Sequence, residues 1–147
     1  MQSKVVADAL VFVLSEGTPL SAWRDLGMLE REWSLVERLA ASFGRLIVVS
    51  DGGAEEAVVG RSLAGPCPVE CVCNREGIER AAWRAEAARR AATAVRGCAS
   101  VYVRTNQFAS GEQALAVAAR LREAGVRVGL AARGGYLWSR FEAAEHG

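Results

Sequence analysis

Residues 97–132, GCASVYVRTNQFASGEQALAVAARLREAGVRVGLAA, decide the fold class. The apolar run over residues 99–104 predicts a strand, and a second run over residues 126–132 predicts another. Between them, residues 110–124 place alanine, valine and leucine on one helical face, and Gly125 suits the left-handed cap that ends a helix. Two apolar strands joined by a helix are typical of a right-handed βαβ unit, whose parallel strands are buried on both faces.

The same alternation extends toward the N-terminus. Apolar runs predict strands over residues 9–14, 46–50 and 69–73, and helical spacing predicts helices over residues 28–43, 54–63 and 78–95. Residues 15–27 are predicted to be a loop, because two glycines and a proline interrupt them. Residues 133–139 are predicted to be a loop, and residues 140–145 to begin a helix. We therefore expect one α/β domain over residues 1–147, a doubly wound, Rossmann-like parallel sheet with ligands at the carboxyl ends of its strands.

Composition excludes several classes of protein. The chain is 51% apolar with a formal net charge of +1, which is unlike a disordered segment. Its 18 basic and 17 acidic residues are nearly balanced, which argues against a nucleic-acid partner. No apolar run reaches the roughly 18–20 residues that span a bilayer, and no signal-cleavage site is evident, so we expect a cytoplasmic location.

The motifs of several enzyme classes are missing from the sequence. The first predicted strand runs into SEGTPL rather than G-x-G-x-x-G, so a simple dinucleotide site is not expected. There is no Walker lysine motif. A phosphorylated receiver domain needs an Asp and a Lys where this chain has Asn74 and Arg133. The single histidine, His146, argues against histidine-based catalysis and histidine-rich metal sites.

The four cysteines do not have the spacing of a metal site. Cys71 and Cys73 share one face of a predicted strand, and Cys67 and Cys98 complete no second pair of the CxxC type. We expect no metal, and we interpret these side chains as small buried hydrophobes in a reducing compartment.

Five arginines accompany the predicted helix over residues 78–95. They are Arg80, Arg84, Arg89, Arg90 and Arg96. One interpretation is a basic face that contacts anionic lipid headgroups. The favoured alternative is a solvated face on which Glu79 and Glu86 pair with the arginines.

Three segments together resemble one enzyme family. Residues 16–32 (EGTPLSAWRDLGMLERE), residues 103–107 (VRTNQ) and residues 133–139 (RGGYLWS) are similar to conserved loops of bacterial and archaeal glycosyltransferases of family 4. In that family the matching features are the loop and helix after the first strand, a K/R-T-N-Q strand ending, and an R-x-G-Y-x-x-S loop. All three segments fall at carboxyl ends of predicted strands, in the family's order.

The resemblance implies the first half of a GT-B enzyme, in which two Rossmann-like domains face each other across a cleft. The chain is then expected to be the amino-terminal, acceptor-side domain of a retaining, nucleotide-sugar-dependent glycosyltransferase. Such an enzyme transfers a sugar to a glycan, lipid or small-molecule acceptor. The nucleotide sugar is its donor substrate, with no cofactor or obligatory metal. The implied partner is a carboxy-terminal donor-binding domain, without which the isolated chain is expected to be inactive, and contact with the inner membrane face is also expected.

The resemblance also implies a set of substrate-binding residues, while the catalytic residues stay unassigned. The set is Gly17, Gly27, Asn106, Gln107, Arg133 and Tyr136. Gly27 has no Cβ, so a diphosphate could approach its backbone N–H, or it is an ordinary loop-to-helix glycine. The amides of Asn106 and Gln107 suit sugar hydroxyls, or they bond a neighbouring loop.

The remaining candidates also have two interpretations. Arg133 could bind a phosphate or an acidic acceptor through its planar fork, or form a salt bridge with Glu16. Tyr136 and Trp138 could stack on a sugar, or anchor their loop in the core. The helical spacing of Trp33 predicts a core position.

Two other functions stay open at this stage. One is a non-catalytic Rossmann-like binding or interaction domain that dimerises through exposed apolar surface. The other is a small nucleotide- or flavin-binding protein, which binding of free UDP, GDP or FMN would distinguish from the glycosyltransferase half.

Overall fold

A computed structural model describes residues 6–63, 69–105 and 111–132. Strands and helices alternate along these residues. Their bounds are β1 Ala9–Val13, α1 Leu20–Asp25, α2 Leu29–Ala40, β2 Leu46–Ser50, α3 Glu55–Ser62, β3 Val69–Cys73, α4 Arg80–Ala94, β4 Ser100–Thr105, α5 Gly111–Glu123 and β5 Arg127–Ala132. The segments predicted over residues 133–145, and Cys67, lie outside the described residues.

The five strands form one parallel sheet in the order β3-β2-β1-β4-β5. The chain builds outward from β1 to β3, then crosses back through α4 to place β4 beside β1. Every residue of β1 and β2 is buried, because both are central strands covered on both faces. The predicted α/β class with a doubly wound, Rossmann-like parallel sheet is confirmed.

Helices cover both faces of the sheet. On one face α4 and α5 pack on the strands through Trp83, Ala87, Val117 and Leu121. On the other face α1, α2 and α3 contribute Leu20, Trp23, Trp33, Val36 and Val59. Trp33 is 3% exposed, which confirms its predicted core position. No helix among residues 6–63, 69–105 and 111–132 is long and apolar enough to cross a membrane.

The prediction of a loop over residues 15–27 is wrong for the second half of this segment, which contains the helix α1. Pro19 precedes the helix as its N-cap with an extended ψ of 171°, and Gly27 follows it with a φ of +72°. These residues mark the two ends of a short helix, and a glycine with positive φ is favoured directly after the helix end. Burial of Leu20 and Trp23 against the sheet supplies the stabilisation that six helical residues lack by themselves.

The two leucines of α5 give a matched test of how this helix packs. Leu121 is fully buried and Leu115 is 59% exposed. Leu121→Ala should lower the free energy of unfolding by about 2–5 kcal/mol, because it leaves a core cavity. Leu115→Ala should change it by less than about 0.5 kcal/mol. Urea unfolding followed by circular dichroism measures both, and equal losses would contradict the packing of α5.

Candidate functional site

A pocket of about 210 Å³ lies at the carboxyl edge of the sheet. It is placed by the loops that follow β1, β2 and β3 and by the first turns of α4 and α5. Its polar lining residues are Glu16, Asp51, Asn74, Arg80 and Gln113, and Trp83 and Ile78 belong to its apolar wall. Ligands of doubly wound sheets bind at this edge, so the pocket is the candidate site.

The carboxylate of Glu56 connects several segments at this edge through hydrogen bonds. It is fully buried in the first turn of α3. Its Oε1 accepts hydrogen bonds from the Leu20 N–H at 2.6 Å and the Ser50 hydroxyl at 2.6 Å. Its Oε2 accepts from the Ser21 N–H at 2.9 Å. The first N–H groups of α1 are therefore satisfied by a side chain of the same chain.

Position 52 requires glycine because the side chains of two other residues approach its backbone closely. A Cβ at this position would lie 2.6 Å from Glu56 Cγ and 2.8 Å from Pro19 Cβ. Any larger residue would push against the buried carboxylate or the start of α1. The turn after β2 is thus shaped by the same interaction that starts α1.

The two candidate glycines that the structure describes both have internal partners. Gly17 has a φ of +76°, and its N–H donates to Asp51 Oδ2 at 2.7 Å. The N–H of Gly27 donates to the carbonyl of Arg24 at 3.1 Å, which closes the turn after α1. This geometry favours the loop-to-helix interpretation of Gly27 over an approach by diphosphate.

Other backbone donors near the pocket are also occupied. The Thr18 N–H bonds the Ser15 carbonyl, and the Gly52 N–H bonds the Ser50 hydroxyl. The Asn74 side chain is used twice, since Nδ2 donates to the Ile78 carbonyl and Oδ1 accepts from the Ile78 N–H, both at 2.8 Å. The N–H groups at the start of α1 and those of Gly17, Thr18 and Gly52 therefore form no free cradle of the kind that binds phosphate.

A network of ion pairs between side chains holds one wall of the pocket in place. Arg84 donates to both oxygens of Glu16, at 2.8 and 3.2 Å, and also pairs with Glu112 at 2.6 Å. The hydrogen bond from Arg84 is the main cause that lowers the pKa of Glu16 from its ordinary value. Gln113 Nε2 donates to the Arg84 carbonyl at 3.0 Å, which ties α5 to α4. Glu16 thus has a partner on α4, and Arg133, its expected partner, lies outside the described residues.

The other arginines of α4 bond acidic neighbours. Glu86 pairs with Arg89 at 2.6 Å and with Arg90 at 2.9 Å, and these bonds lower its pKa to about 2. Arg90 also pairs with Glu76 at 3.1 Å. Glu79, the other expected partner, instead accepts from the Ala81 N–H at the start of α4. The pairing favours a solvated face, and the membrane contact stays a prediction.

Of the two cysteines of β3, Cys73 is buried and Cys71 is half-buried. Burial is the main cause that raises the pKa of Cys71 to about 12, and the neighbouring Cys73 contributes. A thiol with such a pKa is protonated at neutral pH, so it is a poor nucleophile and a poor metal ligand. Within the described part of the chain, no three acidic, cysteine or histidine side chains are grouped to hold a metal.

The site residues expected from the sequence are only partly placed. Gly17 lies beside the pocket through its bond to Asp51, and Gly27 lies in the turn between α1 and α2. Asn106, Gln107, Arg133 and Tyr136 lie outside the described residues. The sequence analysis assigned no role to Asp51, Glu56 or Gln113. An acidic residue directly after an apolar strand was the one available signal.

No protein-family model, curated protein or solved structure matches this chain.

The neighbouring residues Glu55 and Glu56 test the buried carboxylate. Glu56→Gln should lower the free energy of unfolding by about 2–4 kcal/mol, because one amide oxygen cannot serve three donors and the new NH₂ faces an N–H or O–H group. Glu55→Gln is the control, because the Glu55 side chain is 59% exposed and, within the described segments, pairs with Arg24 alone. It should change stability by less than about 0.5 kcal/mol. If urea unfolding showed the same loss of stability for both variants, the structural role assigned to Glu56 would be wrong.

Arg84→Met tests the ion network through the pKa of Glu16. Loss of the main cause should raise that pKa toward its ordinary value, and ¹³C NMR of the carboxyl group measures it. Because the folded-state pKa is lowered, the pair stabilises the fold above the unfolded-state pKa, and this is lost as pH falls through the folded-state pKa. The variant should therefore lose less stability on acidification. Arg61→Met, at an exposed position of α3, should leave the pKa of Glu16 unchanged.

Proposed function

We propose that this domain binds a hydroxyl-rich carbohydrate in the pocket at the carboxyl edge, as the acceptor-side half of a nucleotide-sugar-dependent glycosyltransferase. The observation that carries the proposal is the polarity of the pocket. The N–H groups of Gly17, Leu20 and Ser21 already bond internal acceptors, while carboxylate and amide oxygens and the Arg80 guanidinium line the cavity. Sugar hydroxyls can donate hydrogen bonds to such oxygens.

Asp51 is the best-placed acceptor for a sugar hydroxyl. Its Oδ2 takes the Gly17 N–H, and its Oδ1 accepts no hydrogen bond from the described residues. The carboxylate is therefore held in position by one oxygen and open through the other. Gln113 is similarly anchored, since its Nε2 donates to the Arg84 carbonyl, and its Oε1 accepts no hydrogen bond from the described residues.

The side of the pocket formed by the loops after β1 and β2 is a poor site for phosphate. A phosphate would face the carboxylates of Asp51 and Glu16, and it would find the donors of the α1 start taken by Glu56. We therefore assign the phosphates of a nucleotide sugar to a separate donor-binding domain, the partner that the resemblance implies. The role left to this chain is to bind and orient the acceptor.

Glu16 contributes to this role as an anion. Arg84 lowers its pKa, so the side chain is a carboxylate at neutral pH and a weak base. It suits a hydrogen bond to a hydroxyl better than removal of the hydroxyl's proton. We assign no catalytic residue to the described part of the chain.

Two of the family-like segments include residues that follow, in the sequence, strands ending at the same edge as the pocket. β4 ends at Thr105 and β5 at Ala132, at the same edge of the parallel sheet as the pocket. Asn106 and Arg133 are the residues that follow these two ends in the sequence.

Asp51→Asn tests the proposal by NMR. The probes are the methyl α-glycosides of glucose, mannose and galactose, added to the ¹⁵N-labelled chain. At least one should bind at millimolar concentration and shift the signals of Gly17 and Gln113. Asp51→Asn keeps an acceptor for Gly17 but removes the charge, so it should weaken binding at least fivefold. Asp25→Asn, at an exposed residue of α1, should leave it unchanged.

Two results would contradict the proposal. One is the absence of glycoside binding by the folded chain. The other is tighter binding of UDP, GDP or FMN in the same pocket, which would favour a nucleotide- or flavin-binding protein.

A further inference from the structure

The charges around the pocket at the carboxyl edge are unevenly paired. Within the described segments, its charged lining residues are Glu16, Asp51 and Arg80. Arg80 lies 3.8 Å from Glu16, and Arg84 bonds both oxygens of the same carboxylate from the pocket wall. Asp51 accepts the Gly17 N–H at 2.7 Å but forms no ion pair with a cation of the described residues. The cations of this wall therefore serve Glu16, and the charge of Asp51 is left uncompensated.

A second carboxylate lies close behind Asp51. A Cβ on Gly52, the next residue, would lie 2.6 Å from Glu56 Cγ. The hydrogen-bond donors to the Glu56 carboxylate described above are two backbone N–H groups and one hydroxyl, all of them neutral. The positive end of the α3 dipole is equivalent to only about half a charge, so it offsets part of this field. The Asp51 end of the pocket is therefore negative and favours a cationic group.

The helix α5 adds a neutral acceptor to the pocket. Gln113 lines the pocket and is 4% exposed. Its amide is oriented by the bond from Nε2 to the Arg84 carbonyl at 3.0 Å, and its Oε1 accepts no hydrogen bond from the described residues. An amide oxygen held in this way favours a ligand that donates a hydrogen bond. Because Gln113 is uncharged and lies on a different element, this observation is independent of the carboxylates.

We propose that the carbohydrate bound in this pocket carries a protonated amino group, which pairs with Asp51. The inference rests on the proposed function and specifies its substrate class as an amino sugar. An ammonium group has three donors and no acceptor, so it matches the oxygens of Asp51 and Gln113 better than a hydroxyl group, which has one donor. A hydrogen bond between two charged groups is also about twice as strong as one between neutral groups.

Arg80 determines the orientation of such a sugar. Its guanidinium repels an ammonium group, and it donates hydrogen bonds that the oxygens of neutral hydroxyls accept. We therefore expect the amino group at the Asp51 end of the pocket and hydroxyl groups on the side of Arg80. Trp83 and Ile78 supply apolar surface for the C–H groups of the ring.

The probes are methyl α-glucoside and the three derivatives in which an amino group replaces the hydroxyl of carbon 2, 3 or 6. Each is titrated into the ¹⁵N-labelled chain at low salt and about pH 6, where an amine is protonated. At least one amino derivative should bind about tenfold more tightly than the parent. The N–H signal of Gly17 should move, because this group shares the Asp51 carboxylate. The N-acetylated form of that derivative is uncharged and should bind no more tightly than the parent.

Asp51→Asn tests the pairing through a ratio of affinities. The variant keeps an acceptor for Gly17 but loses the charge, so the amino derivative and the parent should bind it within about twofold of each other. Asp25→Asn removes the same charge from a side chain that is 69% exposed and does not line the pocket. It should leave the tenfold advantage unchanged. Because both ligands are measured on one variant, a general loss of structure does not imitate this result.

Arg80→Gln provides a second test at a position that is 65% exposed. It removes the cation that repels an ammonium group, so the amino derivative should bind this variant more tightly than the unmodified chain. Weaker binding of the amino derivative would contradict the assigned orientation.

Three further outcomes would overturn the inference. The first is that no amino derivative binds more tightly than methyl α-glucoside, which would leave the proposed function standing. The second is an advantage that Asp51→Asn does not reduce. The third is binding of methylammonium as tight as that of the amino sugar, because the pocket would then recognise the charge without the sugar. If neither the neutral nor the amino glycosides bind, the proposed function fails as well.

Discussion

The arrangement of the carboxyl edge depends on the buried carboxylate of Glu56. A charge removed from water is tolerated only where hydrogen bonds replace its hydration, and here two backbone N–H groups and the Ser50 hydroxyl do so. These bonds join the start of α1, the end of β2 and the first turn of α3. They also leave room for nothing larger than glycine at position 52. The loop after β1 forms part of the pocket. Its position therefore depends on Glu56, which is buried and does not line the pocket.

The same bonds determine the chemistry of the pocket. In many sheets of this topology the start of the first helix offers free N–H groups to a phosphate. Here a carboxylate of the protein occupies that position, and Asp51 takes the N–H of Gly17. The side chains left to a ligand are mostly acceptors. At the start of α1 the edge thus offers acceptors rather than free N–H donors.

The sequence predicts most of the fold because local patterns decide it. Continuous apolar runs identify the strands, and the helical spacing of Ala114, Val117 and Leu121 identifies the inner face of α5. The helix α1 is missed because its stability comes from burial against the sheet and not from its own six residues. The site is harder to predict, since its bonds join distant residues. Glu56 is 36 positions from Leu20, and Arg84 is 68 positions from Glu16. A single sequence gives no signal that such residues meet.

The distribution of charge on α4 explains why its arginines offer little to an outside partner. Arg84, Arg89 and Arg90 are each bonded to carboxylates of the same domain. Paired charges on a surface contribute little to recognition because a partner must first compete with the internal pair. These arginines therefore act within the domain, and Arg84 does so at the wall of the pocket, where it bonds Glu16.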